Sequence, residues 1–225
     1  MELSQRRVLT LAALVAASVG CIGLVLVRIV HTGVPNFAYL TWNLFLAWVP
    51  FLLALVLYDG YRRGRRPAAL AALGAAWLAF FPNAPYIVTD FIHLNRDPLS
   101  PFWYDGLTIG AFAATGLLLG FGSLYLVHAV VRRALGEAAG WTVALGAIAL
   151  GSVGIYLGRF VRVNSWDILS TPHLLARLAR VRLADPLGNP KLVAVTIALT
   201  GLLSLGYLVV YGVASPLLRL ERDNG

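Results

Sequence analysis

Charge is what this sequence has least of. Asp, Glu, Lys and Arg make up 12% of its 225 residues, against roughly 25% in an ordinary soluble domain. Cysteine is nearly absent, and the single Cys21 excludes an internal disulfide framework and a cysteine-based zinc cluster. Cys21 lies inside an apolar run, where cysteine serves as a small buried residue. No low-complexity linker and no internal repeat interrupt the chain, so residues 1–225 read as one domain.

Catalytic signatures are missing as well. Gly120-Phe121-Gly122-Ser123 is followed by Leu124, not by the last glycine of a rhomboid-type serine motif. There is no Gly-x-Gly-Asp of an intramembrane aspartyl protease, no His-Glu-x-x-His of a zincin, no glycine-rich nucleotide loop and no redox dithiol. Cys21 stands on a different segment, and at a different depth, from any histidine and arginine that would complete an exosortase-type set.

What is present is hydrocarbon. The chain is 59% hydrophobic with a mean hydropathy of +0.78. A helix needs about 20 apolar residues to cross a bilayer core of about 30 Å. Six runs qualify, at 8–30, 37–58, 67–92, 105–131, 140–161 and 192–218. They predict an all-α polytopic membrane helix bundle. Ser18-Val19-Gly20-Cys21 loosely matches a lipoprotein cleavage box, but the run stays apolar through Val27, which favours an uncleaved first helix. The net charge of +8 would suggest nucleic acid in a soluble protein. Here no soluble module carries a basic patch, so the expected partners are membrane lipids and not nucleic acid.

Arginine placement predicts the orientation. With the N-terminus cytoplasmic, that side receives Arg6, Arg7, Arg62, Arg63, Arg65, Arg66, Arg132, Arg133, Arg219 and Arg222. The outside receives Arg28 and Arg96, and six further cations in 159–191. That last segment opposes the assignment and needs its own explanation. Within it, Ser170 or Thr171 can cap a helix whose first residue is Pro172. His173, Arg177 and Arg180 form a polar stripe beside Leu174, Leu178 and Val181. This predicts a short amphipathic helix near 172–184, too short to span, lying on the membrane surface or covering the bundle.

The third run ends in Phe80-Phe81-Pro82-Asn83-Ala84-Pro85-Tyr86-Ile87-Val88-Thr89-Asp90. Each proline removes an N–H and crowds the carbonyl four residues back, so Leu78 and Phe81 are expected to lose their usual donors. Freed backbone groups at membrane depth persist when buried in protein or lining a cavity. The break therefore reads as site-lining or as a simple kink. At 1.5 Å per residue, Asp90 and His93 fall at the outer boundary, and Arg159 lies about 28 Å along the fifth run, on the same side. Asn43, Asn83, Asp105, Arg162, Asn164 and Asp167 gather there too. The asymmetry predicts a polar pocket facing the extracytoplasmic side.

Within that pocket Asp90 and His93, spaced i, i+3, share one helix face. With Asp105 and Asp167 they are the candidate catalytic groups, as an acid–base pair or as ligands to a divalent metal. An alternative is that the Asp90–His93 pair only caps a helix. Arg159 and Arg162 suit a phosphate or carboxylate, or salt bridges to Asp90, Asp105 or Asp167. Asn43, Asn83, Tyr86, Asn164 and Trp166 complete the ligand-binding set. Trp42, Trp48, Trp77 and Trp141 fit interface or core roles; of the tryptophans, Trp103 and Trp166 adjoin the polar residues.

Three stretches carry a resemblance: Thr41-Trp42-Asn43-Leu44-Phe45-Leu46-Ala47-Trp48 and its continuation to Leu55, the proline segment from Phe80 to Leu94, and Gly158-Arg159-Phe160-Val161-Arg162-Val163-Asn164-Ser165-Trp166-Asp167-Ile168-Leu169. Together the chain resembles the bacterial membrane-protein family DUF1361. The resemblance implies a multi-pass inner-membrane protein and brings no established activity. The functional expectation is a protein that binds or processes an anionic or lipid-linked envelope ligand. Its alternatives are a transporter or flippase using the broken helix as a moving part, and a non-catalytic structural or assembly subunit.

Overall fold

The computed structural model describes residues 3–94, 99–161 and 189–219. Among them every regular element is helical. Helix α1 is Leu3–Thr32, α2 is Tyr39–Arg62, α3 is Pro67–Phe80 and α4 is the single turn Asn83–Tyr86. A 3-10 helix, Ile87–His93, completes the third span. Helix α5 is Phe102–Leu135, and α6 is Glu137–Tyr156, running on into a π-helical turn, Leu157–Val161. Helix α7 is Pro190–Arg219. Six segments are long and apolar enough to cross a membrane, at Arg7–Thr32, Tyr39–Arg62, Pro67–His93, Phe102–Leu135, Glu137–Val161 and Pro190–Val213. The helices overrun the predicted spans by up to about a turn, because regular backbone continues into the polar boundary. The amphipathic segment expected at 172–184 lies outside the described residues.

Helix α5 is the hub. Half of its apolar window is buried, compared with 11% for α7. Helix α1 shows how peripheral spans attach. Leu14, Ser18, Cys21, Val25 and Arg28 are all buried and repeat every three or four residues, the spacing of a coiled-coil seam. Val15, Val19, Leu26 and Val30, on other faces, are exposed. Hydrocarbon solvates such residues as well as a protein core does, so polar contacts and close packing must hold the seam. Trp48 Nε1 donates to Ser18 Oγ at 3.1 Å, Cys21 Sγ lies 3.4 Å from Thr115 Oγ1, and Tyr104 Oη donates to the Leu24 carbonyl at 2.8 Å. Cys21 is thus the small buried residue the sequence suggests. At the far end of the bundle, His128 Nδ1 and Tyr207 Oη pair at 2.8 Å, and Arg132 Nη1 donates to Tyr211 Oη at 2.9 Å, tying α7 to α5.

The broken third span sits in a trough cut by four glycines. A Cβ on Gly116 would come 2.7 Å from the Ala84 carbonyl oxygen, and one on Gly120 3.2 Å from Ala84 Cβ. On α6, Cβ atoms at Gly151 and Gly154 would come 3.1 Å from the Phe81 ring and 2.8 Å from Pro82 Cγ. Phe81, Ala84 and Ile87 are consequently buried. The break is also better satisfied than the sequence suggests. The Phe81 carbonyl, expected to be orphaned by Pro85, accepts Ala84 N–H at 3.2 Å, and Asn83 Nδ2 donates to the Phe80 carbonyl at 2.9 Å. A tightened turn serves the Phe81 carbonyl, and a side-chain amide serves that of Phe80.

Candidate functional site

Two departures from α geometry meet at one end of the bundle. The 3-10 helix has three residues per turn, so Asp90 and His93 align along one edge. The π-helical turn on α6 carries Arg159, and such turns recur at functional sites. The Arg159 guanidinium bridges the two. Nη2 pairs with Asp90 Oδ1, Nε and Nη2 reach Thr89 Oγ1 at 2.8 and 2.6 Å, and Nη1 lies 3.2 Å from His93 Nε2. Guanidinium has donors only, so Nε2 accepts here and His93 carries its proton on Nδ1. The guanidinium also lies over the Tyr86 ring, 4.5 Å from its centroid.

Asp90 is the buried centre, its side chain 1% exposed against 12% for Arg159. Its second oxygen accepts Asn43 Nδ2 from α2 at 3.0 Å. Thr89 hands its own proton to the Tyr86 carbonyl at 2.7 Å, leaving Oγ1 free to accept from Arg159. The Tyr39 ring meets the His93 ring edge to face at 5.5 Å. A carboxylate, a guanidinium and an imidazole are thereby fixed together by three spans. Such a set can exchange protons at Asp90 or His93 and can present Arg159 to an anion that competes with Asp90.

The structure brings together Asn43, Tyr86, Asp90, His93 and Arg159, and gives two other candidates different contacts. Asn83 serves the backbone break described above. Asp105 joins a different ion pair, accepting Arg28 Nε at 2.8 Å and Arg28 Nη2 at 3.3 Å, with Ser100 Oγ donating at 2.6 Å. That pair is 0% and 3% exposed, and Phe37 lies 4.1 Å beneath the Arg28 guanidinium. Arg28 is the residue the sequence reading missed; a lone cation inside an apolar run was the signal. Trp103 is exposed. Arg162, Asn164, Trp166 and Asp167 lie outside the described residues. Among the described residues no three His, Cys, Asp or Glu side chains converge as a metal site. Beside the break, Phe81, Pro85, Leu117, Phe121, Ile148 and Leu203 line a shallow apolar dent that offers no group to a polar ligand.

Six apolar spans, a buried hub helix and ionisable clusters paired inside the bundle define a multi-pass α-helical membrane protein. Within that class the chain belongs to the family described as "Protein of unknown function (DUF1361)", whose model matches residues 42–205. That match takes in α2, the broken span, the hub helix, Arg159 and part of α7. No curated protein and no solved structure matches the chain.

Proposed function

We propose that this protein binds an anionic, lipid-linked ligand of the bacterial envelope at the Asn43–Asp90–His93–Arg159 cluster, on the extracytoplasmic face of the inner membrane. Arg159 receives the anion, Asn43 and Tyr86 orient it, and Asp90 or His93 carries a proton where chemistry follows. Arg162, Asn164 and Trp166 would extend the site. One observation carries this reading: the 3-10 and π-helical turns are where the ionisable groups sit, and they contact each other. Continuous α-helix would leave fewer backbone groups to satisfy in hydrocarbon, so irregular backbone at this depth points to a site. The exposed Arg62, Arg63, Arg65 and Arg66 turn at the other end supports cytoplasmic N- and C-termini.

A second reading is a structural latch, favoured by the engagement of Arg159, each of whose three nitrogens already meets Thr89, Asp90 or His93. The test is lipid co-purification with Asp90→Ala and Arg159→Ala, alongside thermal unfolding. The ligand site predicts folded variants stripped of a lipid that the parent retains. Folded variants with an unchanged lipid complement would refute it, and unfolding of both would leave the latch.

A further inference from the structure

The opposite face carries a different kind of arginine. Among the described residues Arg7, Arg28, Arg132 and Arg159 each reach a carboxylate. Arg62, Arg63, Arg65, Arg66 and Arg133 do not, and all five are exposed. The nearby acids among the described residues are already taken. Asp59 accepts both Nη atoms of Arg7 at 2.9 and 2.8 Å, and Glu137 accepts Trp141 Nε1 at 3.1 Å beside Arg132.

The turn that presents four of these arginines is rigidly built. Helix α2 ends on Gly64 at φ +68°, a left-handed residue that a side chain would strain. Gly64 N–H bonds the Tyr61 carbonyl and Arg65 N–H the Gly60 carbonyl, both at 3.0 Å, the paired bonds of a Schellman cap. Arg66 then precedes Pro67, the first residue of α3. The Arg65 stem folds back over Gly60, its Cδ 3.0 Å from where a Cβ would stand there. Arg133 joins from α5, with Nη1 3.5 Å from Tyr58 Oη near the end of α2. Both flanking helices are membrane spans, so the turn holds its guanidiniums at the hydrocarbon boundary, at headgroup depth.

We propose that the α2–α3 turn and Arg133 form a docking surface for anionic phospholipid headgroups, whose phosphate oxygens fit the forked guanidinium donors. The surface is separate from the Asp90–Arg159 cluster and stands or falls apart from it. The test titrates the detergent-purified full chain with cardiolipin, phosphatidylglycerol and phosphatidylcholine, counting bound lipid by native mass spectrometry. Cardiolipin and phosphatidylglycerol are expected to bind in preference to phosphatidylcholine. Arg63→Gln with Arg65→Gln should weaken that binding about thirtyfold, at one headgroup-facing charge lost per substitution. Arg63→Lys with Arg65→Lys should keep most of it, and helix content should stay unchanged in both. Equal affinity for phosphatidylcholine, undiminished binding by the glutamine variant, or displacement of the lipid by inorganic phosphate or an oligonucleotide at matched concentration would overturn the proposal.

Discussion

At the scale of single residues, two arginine–aspartate pairs sit at the same end of the bundle and do different work. Arg28 and Asp105 are sealed, 0% and 3% exposed, with Ser100 on the carboxylate and Phe37 under the guanidinium. Removing one member strands a buried charge, so Arg28→Ala or Asp105→Ala should each cost about 3–5 kcal/mol, read as a fall in thermal stability in detergent. Replacing both, Arg28→Met with Asp105→Leu, should restore most of that loss, because an apolar pair of similar volume carries no desolvation penalty. A double variant as unstable as the singles would contradict this. Arg159 and Asp90 differ by keeping the arginine 12% exposed and by including a histidine held in one tautomer. That asymmetry, buried acid and reachable base pair, is what a sealed structural bridge does not need.

At the scale of elements, the broken span is closely packed. Gly116, Gly120, Gly151 and Gly154 let the segment from Phe81 to Ile87 press against α5 and α6. A helix break meant to move would be loosely packed, whereas Phe81, Ala84 and Ile87 are 2%, 0% and 0% exposed. Gly116→Ala puts a methyl against a backbone oxygen that cannot swing aside, and should cost about 1–3 kcal/mol. Gly146→Ala, with nothing within 4 Å of its Cβ, should be neutral or stabilise by up to about 1 kcal/mol. Paired thermal melts of the two alanine variants check the contrast; equal melting temperatures would mean the trough is not tight.

Much of this was readable beforehand, and the remainder failed for identifiable reasons. Six spans follow from apolar run length, which the bilayer thickness fixes almost alone. The Arg159 partnership with Asp90 was open to the sequence, because depth bookkeeping puts both at one boundary. Depth puts Arg28 and Asp105 at that boundary too, but which carboxylate Arg28 meets depends on how α1 crosses α5, and crossing geometry is not written in either segment. The bond from Asn83 to the Phe80 carbonyl was not written in the run of residues, because which acceptor a side-chain amide meets beside an interrupted carbonyl ladder depends on the local turn. The π-helical turn at Leu157–Val161 left no compositional mark at all.

At the scale of the whole molecule, the two ends divide the labour of charge. One holds its carboxylates and arginines in pairs buried in the bundle; the other, beside the more exposed Arg7–Asp59 and Arg132–Glu137 pairs, displays an exposed turn whose four arginines reach no carboxylate among the described residues. In the proposed orientation, Asn95→Cys and Asp185→Cys should be labelled by a membrane-impermeant thiol reagent in intact cells, while Arg66→Cys should react after permeabilisation. The reverse pattern would place the Asp90 cluster on the cytoplasmic side. The central claim, that this cluster holds an anionic lipid-linked ligand, is tested most directly by native mass spectrometry of the parent chain beside Asp90→Asn with Arg159→Gln, a change that removes both charges while keeping a polar side chain at each position. With Arg63→Gln and Arg65→Gln in both proteins to silence the α2–α3 turn, a lipid-mass adduct is expected on the chain with an intact cluster and is expected to be lost from the fully helical variant; no adduct on the former, or the same adduct on both, would contradict the claim.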